Sequence, residues 1–167
     1  YGKIKAHYKH KAFLAEGEQA KAKRDSKIQV FVEKYSHEIS KEDILQITSL
    51  SLIDLAKAIK TQKITSRKAY LCYALNCAIV GKELFGIADA DFERGVKEAE
   101  EADIVIKASK NIEDLPALIG VPITVKDHIT TKGFVESLGM CSKHNNMAEE
   151  DCAVVGLLRN LGAIILS

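Results

Sequence analysis

A lysine stands directly after a run of apolar residues that is typical of a buried strand. The run "LIGVPITV" covers residues 118–125, and Lys126, Asp127 and His128 follow it. In open parallel sheets, reacting groups gather beyond the carboxyl ends of the strands. A lysine that is partly shielded from water at such a place loses its preference for the charged form, and a neutral amine can act as a general base. The alternative is an ordinary solvated lysine at the end of a strand.

The elements that would position Lys126 form a strand–helix–strand unit. The run "LIGVPITV" shows no alternation of polar and apolar residues, so it predicts a strand buried on both faces. A loop from Thr130 to about Glu150 follows, and Asp151 is predicted to cap the next helix. Gly162 is predicted to end that helix, and "AIIL", residues 163–166, predicts a second buried strand. The order predicts a parallel βαβ unit in an α/β fold, in which N-terminal helices precede the start of a mixed, mainly parallel sheet.

Upstream of this unit the sequence predicts a series of helices. Residues 1 to about 35 form one long polar helix, which is basic between Lys3 and Lys11. The stretch "FGIADA", residues 85–90, predicts a short strand, and a helix follows from Asp91 to about Ala108. Helix N-caps are predicted at Ser40, Ser51 and Thr65, and Gly81 is predicted to end the helix that Thr65 begins.

Composition excludes several classes of function. The 167 residues carry a net charge of +1, so a nucleic-acid partner is not expected. The four cysteines form no CxxC pair and the five histidines show no zinc spacing, so we expect free thiols, a reducing compartment and no metal. Neither a GxGxxG nor a GxxxxGK[ST] motif follows a strand, which argues against a nucleotide-binding domain, and no cofactor is expected.

Several stretches, in matching order, resemble the amidase signature family. "GVPITVKDHITTKG", residues 120–133, resembles the strand and loop of that family, with its Gly-Val-Pro, apolar run and Lys-Asp. "EEDCAVVGLLRNLGAIIL", residues 149–166, resembles the element that follows. The resemblance covers residues 49–167, the expected N-terminal part of an amidase signature domain, and residues 1–48 are expected to be a helical extension. "KGFVESLGMCS", residues 132–142, is most similar to the fatty acid amide hydrolase branch.

The resemblance implies amide hydrolysis by a Ser–cis-Ser–Lys triad, in which Lys126 is the general base. In the family both serines lie in a segment rich in glycine and serine, further along than Ser167. Neither serine is therefore assigned here, and we expect the chain to be truncated before that segment and inactive without it.

The residues around Lys126 have expected supporting roles. Ser137 and Ser142 are expected to shape the neighbouring loop. His128 stands where many family members carry asparagine, and we expect a loop histidine bonded to backbone rather than an added acid or base. Two alternatives stay open for Asp127, which either orients Lys126 or holds the loop by accepting backbone hydrogen bonds.

The resemblance also defines the expected partners and the competing functions. The expected partner is a small-molecule amide. The resemblance to the fatty acid amide hydrolase branch implies that this amide is derived from a lipid. A peripheral membrane contact through the basic helix at residues 1–35 stays open, as does a homodimer. The expected location is the cytoplasm, and a peripheral association with an intracellular membrane stays open. The competing function is that of a catalytically inactive homologue or truncated fragment that acts as a binding or scaffold protein.

Overall fold

A computed structural model describes residues 2–84 and 86–167, with the side chains of residues 10–84 and 86–167. Its helices are α1 (Gly2–Tyr35), α2 (Lys41–Thr48), α3 (Leu52–Lys60), α4 (Ser66–Asn76), α5 (Phe92–Ala108) and α6 (Ala153–Asn160), and its strands are β1 (Pro122–Ile123) and β2 (Ile164–Ile165). A π-helical turn occupies Cys77–Gly81, and 3-10 turns occupy Ile112–Asp114 and Cys141–Lys143. Helices α1 to α5 precede a small parallel sheet whose two strands are joined through α6, so the predicted α/β architecture is confirmed.

The three predicted N-caps are confirmed by their hydrogen bonds. The Ser40 hydroxyl accepts the N–H of Asp43, and the Asp43 carboxylate accepts the N–H of Ser40, which makes a capping box at the start of α2. Ser51 and Thr65 each accept the backbone N–H three residues further on, at the starts of α3 and α4. Short-range hydrogen bonds of this kind satisfy donors that the first turn of a helix leaves free.

Two predictions for the segment between α4 and α5 are wrong, one for a helix end and one for a strand. Gly81 does not end the helix, because the π-helical turn carries the helical backbone through Gly81 to Glu83. Residues 86–90 form no strand, and Phe85 lies outside the described residues. The segment is held by side chains instead of a ladder: the Asp89 carboxylate accepts the N–H of Val135 at 3.0 Å.

The two strands pair in parallel, as predicted for a βαβ unit. Pro122 lies opposite Ile164 and Ile123 opposite Ile165. β1 is shorter than the predicted strand because Gly120 has a left-handed φ of +73°, which bends the chain before the ladder begins. Backbone contacts nevertheless extend beyond the strands, from Leu118 N–H to Leu161 O at 2.8 Å, Gly120 N–H to Gly162 O at 2.9 Å, and Val125 N–H to Ser167 O at 2.9 Å.

Asp151 does not cap α6, which corrects a further prediction. Cys152 occupies the N-cap position and provides no side-chain hydrogen bond. The Asp151 carboxylate accepts the backbone N–H of Lys132 at 2.8 Å and Nε–H of Arg159 at 2.9 Å. It therefore joins the loop after β1 to α6. Gly162, with φ +87°, ends the C-terminal turn of this helix as predicted.

The core lies on both sides of β2. Ile164 and Leu166 pack with α1, α4 and α5, while Ile165 packs with Phe134 and Val155 on the opposite side. Successive side chains of a strand point to opposite faces, so β2 separates the two clusters. The C-terminal half of α1 contributes three buried residues to the larger cluster: Ile28, Phe31 and Tyr35. The division into residues 1–48 and 49–167 stays a prediction.

Candidate active site around Lys126

Lys126 lies just past the carboxyl end of β1, beside the short segment that continues beyond β2. Val125 donates its N–H to Ser167 O, and Ile129 donates its N–H to Lys126 O at 2.8 Å, which closes a turn at Lys126. The predicted place of the lysine at the end of the sheet is therefore the observed one. In parallel sheets this is the edge at which ligands bind.

The predicted shielding of Lys126 from water is wrong for the described part of the chain. Thr124 and Lys126 are both exposed, whereas Ile123 and Val125 are half-buried. Because alternate residues share a face of an extended segment, this edge is covered on one face and open on the other. Among the described residues no hydrogen bond or ion pair reaches Nζ of Lys126. The base role of Lys126 stays a prediction.

A cavity of about 320 Å³ borders Lys126. Its polar wall contains Arg24 of α1, Asp89, Asp127, Glu136 and Ser167. Its apolar lining includes Ile87, Val125, Ile129, Phe134 and Val135. A cavity of this size, with convergent polar groups beside apolar side chains, can hold a small molecule. Lys126 thus stands where a side chain can reach a molecule that occupies the cavity.

Asp127 holds the loop that follows, which confirms one of its two expected roles. Its carboxylate accepts the Ser137 N–H at 2.9 Å, the Ser137 hydroxyl at 3.1 Å and the Gly139 N–H at 3.2 Å. Ser137 therefore shapes the loop as predicted. Ser142 is exposed, and no side-chain hydrogen bond involves it within residues 10–84 and 86–167.

His128 does not have the backbone partner that was predicted. Its ring is exposed, and no hydrogen bond to it occurs in the described part of the chain. The turn at Lys126–Ile129 is closed by main-chain atoms, so it needs no contribution from this side chain. His128 faces solvent next to the cavity edge without belonging to the residues that line it.

Two residues of the cavity wall were missed by the sequence reasoning. Arg24 donates from Nη1 to Ile87 O at 2.6 Å, and Asp89 binds Val135 N–H. Both contacts join segments that are far apart in sequence. Arg24 is one of many basic residues in a long polar helix, and Asp89 lies in a stretch that reads as a strand. No signal in the sequence distinguishes them.

A charged network supports the loop from behind. The Arg94 guanidinium lies over the Phe134 ring, 4.5 Å from its centroid, and its Nε is 3.5 Å from Oε1 of Glu98. Oε2 of Glu98 lies 3.8 Å from Nη1 of Arg159, which also binds Asp151. Burial raises the pKa of Glu98 above its usual value, and the attraction of the two arginines offsets only part of this rise. The network ties α5 and α6 to the loop that walls the cavity.

Comparison with known proteins identifies the family. The sequence profile of the family described as Amidase matches residues 69–167, more than half of the chain. Fatty-acid amide hydrolase 2 of Homo sapiens is 31% identical over 121 residues, 70% of this chain and 23% of the relative. Acetamidase of Emericella nidulans is 30% identical over 127 residues, 75% and 23% of the two chains. Vitamin D3 hydroxylase-associated protein of Gallus gallus is 25% identical over 158 residues, 93% and 32%.

A solved structure has the same fold. A fatty acid amide hydrolase matches 92% of this chain and 30% of its own with a TM-score of 0.71 and 20% identity. The chain thus spans between about a fifth and a third of the length of these proteins. The fold, the parallel unit that carries Lys126 and the profile match agree, and this chain is a member of the amidase family.

Proposed function

We propose that the protein carrying this chain hydrolyses amides and that Lys126 is its general base. Membership of the amidase family supports the reaction class. The observation that carries the residue assignment is the position of Lys126 at the carboxyl end of β1, on the edge of a cavity of about 320 Å³. That edge is where a parallel sheet presents its reacting groups.

The proposed reaction uses two serines from a segment beyond Ser167. The neutral Lys126 amine takes a proton from the bridging serine, which takes one from the nucleophilic serine as this attacks the amide carbonyl. The tetrahedral intermediate collapses to an acyl-enzyme when the proton passes from Lys126, through the bridging serine, to the leaving amine. Water then releases the acid by the same relay.

The proposed substrates are fatty acid amides or related acyl amides. The support is the similarity to fatty-acid amide hydrolase 2 and the loop "KGFVESLGMCS" at residues 132–142. The similarity to an acetamidase makes short amides the competing class. A series of primary amides from acetamide to an eighteen-carbon amide separates the two, because each buried CH₂ contributes about 0.8 kcal/mol of binding. A flat kcat/KM along the series would exclude the long-chain preference.

The test of the base role is Lys126→Ala in the complete enzyme. We expect kcat to fall by about 10²–10⁴-fold with the folded state retained, because a positioned base contributes that factor. Lys132→Ala is the matched control. This exposed lysine lies six residues away, and among the described residues only its backbone N–H is bonded, to Asp151. Unchanged turnover in Lys126→Ala would remove the base role. Absence of amidase activity in the unaltered full chain would instead favour an inactive homologue that acts as a binding or scaffold protein.

The proposal includes a peripheral membrane contact through α1. The helix begins in a basic segment, and Phe13 and Leu14 are 40% and 50% exposed. None of the described helices has both the length and the apolar content needed to cross a bilayer. Apolar side chains beside lysines can bind an anionic lipid surface without spanning it. The proposal also includes a cytoplasmic location and a homodimer.

A further inference from the structure

The carboxylate of Asp127 is directed into the loop and not toward the neighbouring ammonium group. Oδ1 accepts the Ser137 N–H, and Oδ2 accepts both the Ser137 hydroxyl and the Gly139 N–H. Oγ of Ser137 accepts the Gly139 N–H as well, at 3.1 Å. Within the described residues no ion pair joins Asp127 to Lys126. Both carboxylate oxygens thus bind the loop ten to twelve residues away.

The loop has a conformation that needs these bonds. Leu138 and Gly139 are consecutive residues with φ of +54° and +71°. The left-handed region is unfavourable for a residue with a Cβ, so Leu138 adopts it only where its neighbours hold it. Hydrogen bonds to a carboxylate are about twice as strong as those between neutral groups. The Asp127 carboxylate is therefore the group that keeps residues 137–139 in place against the turn.

The direction of Lys126 depends on its main chain. The preceding residue is tied to Ser167 O, and Lys126 O is tied to Ile129 N–H. In the described part of the chain, its side chain has no partner that could aim it. The loop also contacts α1, where a Cβ at Gly17 would stand 3.0 Å from Sγ of Cys141. The hydrogen bonds of Asp127 to Ser137 and Gly139 therefore connect the turn at Lys126 to the loop. The loop in turn contacts α1.

From these contacts we propose that Asp127 is a positioning residue for amide hydrolysis. It sets the direction of Lys126 by binding Ser137 and Gly139, and it acts through geometry rather than as a counter-charge. The inference rests on the proposed function, because it assigns a role toward the base.

The experiment is Asp127→Asn in the complete enzyme with an amide substrate. The amide of asparagine replaces one acceptor oxygen by a donor, which then faces the loop N–H groups. We expect kcat to fall about 100-fold with KM unchanged, since a displacement of about 1 Å of a reacting group costs that factor. Ser137→Ala leaves both backbone hydrogen bonds to Asp127, and we expect a smaller loss of about tenfold.

Asp103→Asn is the matched control. The Asp103 carboxylate accepts two backbone N–H groups, from Ser66 at 2.7 Å and from Arg67 at 3.1 Å, and it does not line the Lys126 cavity. This control is expected to lower the midpoint of thermal unfolding and to leave kcat unchanged. A loss of kcat in Asp127→Asn and Ser137→Ala, but not in Asp103→Asn, supports the positioning role.

Three other results overturn the inference. The first is an Asp127→Asn enzyme that is less stable but has the original kcat. The second is a shift of the pH midpoint of kcat in Asp127→Asn, which would make Asp127 a charge partner of Lys126. If Asp127→Asn does not fold, Ser137→Ala becomes the test. An unchanged kcat in Ser137→Ala is the third result that overturns the inference. The failure of the base role is separate, because it appears as unchanged turnover in Lys126→Ala whatever Asp127 does.

Discussion

The hydroxyl of Tyr70 lies against the backbone of Gly95, where α4 and α5 cross. A Cβ at Gly95 would stand 2.1 Å from the Tyr70 oxygen, and both residues are buried. Glycine is therefore required at this contact for space. The close approach brings α4 and α5 together beneath β2 and thereby supports the sheet edge that carries Lys126.

Gly95→Ala is expected to destabilise the fold by about 1–3 kcal/mol or more, because a fully buried tyrosine has no room to move away. Denaturant unfolding measures the effect. Gly156→Ala is the control, since that helical glycine in α6 has no heavy atom within 4 Å of an added Cβ. This change is expected to stabilise the chain by about 0.8–1.0 kcal/mol through helix propensity. Equal stability of the two variants would contradict the described contact.

Tyr70→Phe is expected to stabilise the chain. The Tyr70 hydroxyl is fully buried and has no protein hydrogen-bond partner among the described residues, and burial raises the pKa of Tyr70. Removal of a buried hydroxyl without a partner is worth about 1–3 kcal/mol. The free energy of unfolding at neutral pH measures it. Gly95→Ala should remain destabilising in the Tyr70→Phe background, because an added Cβ would still overlap ring carbons Cζ and Cε2 of residue 70. No cost in that background would exclude overlap with the ring as the cause.

Stability should fall in alkaline solution because of a buried thiol. Burial raises the pKa of Cys72 to about 11. The unfolded chain loses this proton first, near a pKa of about 8.5. The contribution of Cys72 to stability is therefore complete below that pH and is lost as the pH rises toward about 11. Chemical denaturation across this range measures the loss, and Cys72→Ala should make it smaller. A thiol reagent at pH 8 should modify the exposed Cys141 while Cys72 stays protected.

Binding of α1 to lipid should depend on its first half only. Removal of the whole helix would take Ile28 and Phe31 out of the core, so the useful change is Phe13→Ala with Leu14→Ala. Cosedimentation with vesicles that contain anionic lipid is expected to decrease for this pair. The double change Leu52→Ala with Ile53→Ala, in an apolar pair on α3 that is more exposed than the pair on α1, is the control. The same loss in both pairs, or in neither, would remove the specific contact at α1.

The features that the sequence determined by itself are those whose physical causes are local. Ser40 and Thr65 begin helices through hydrogen bonds that reach only three residues along the chain. Gly162 ends a helix through its own backbone conformation. The apolar runs on both sides of that helix predict a parallel pair of strands, because parallel neighbours are joined by a crossover connection that is usually a helix. The place of Lys126 follows from the same pattern, and the order of motifs was enough to indicate the family.

Only the tertiary structure decided which groups meet across long stretches of chain. Asp151 has the pattern of a helix cap, yet it binds Lys132 and Arg159. Asp89 lies in a predicted strand, yet it binds the N–H of Val135, 46 residues away. The exposure of Lys126 depends on which elements cover each face of β1, and the contact of Arg24 depends on how α1 packs. A carboxylate or a guanidinium binds whichever partner the closed chain brings within reach, and that partner is set by packing and not by neighbours in sequence.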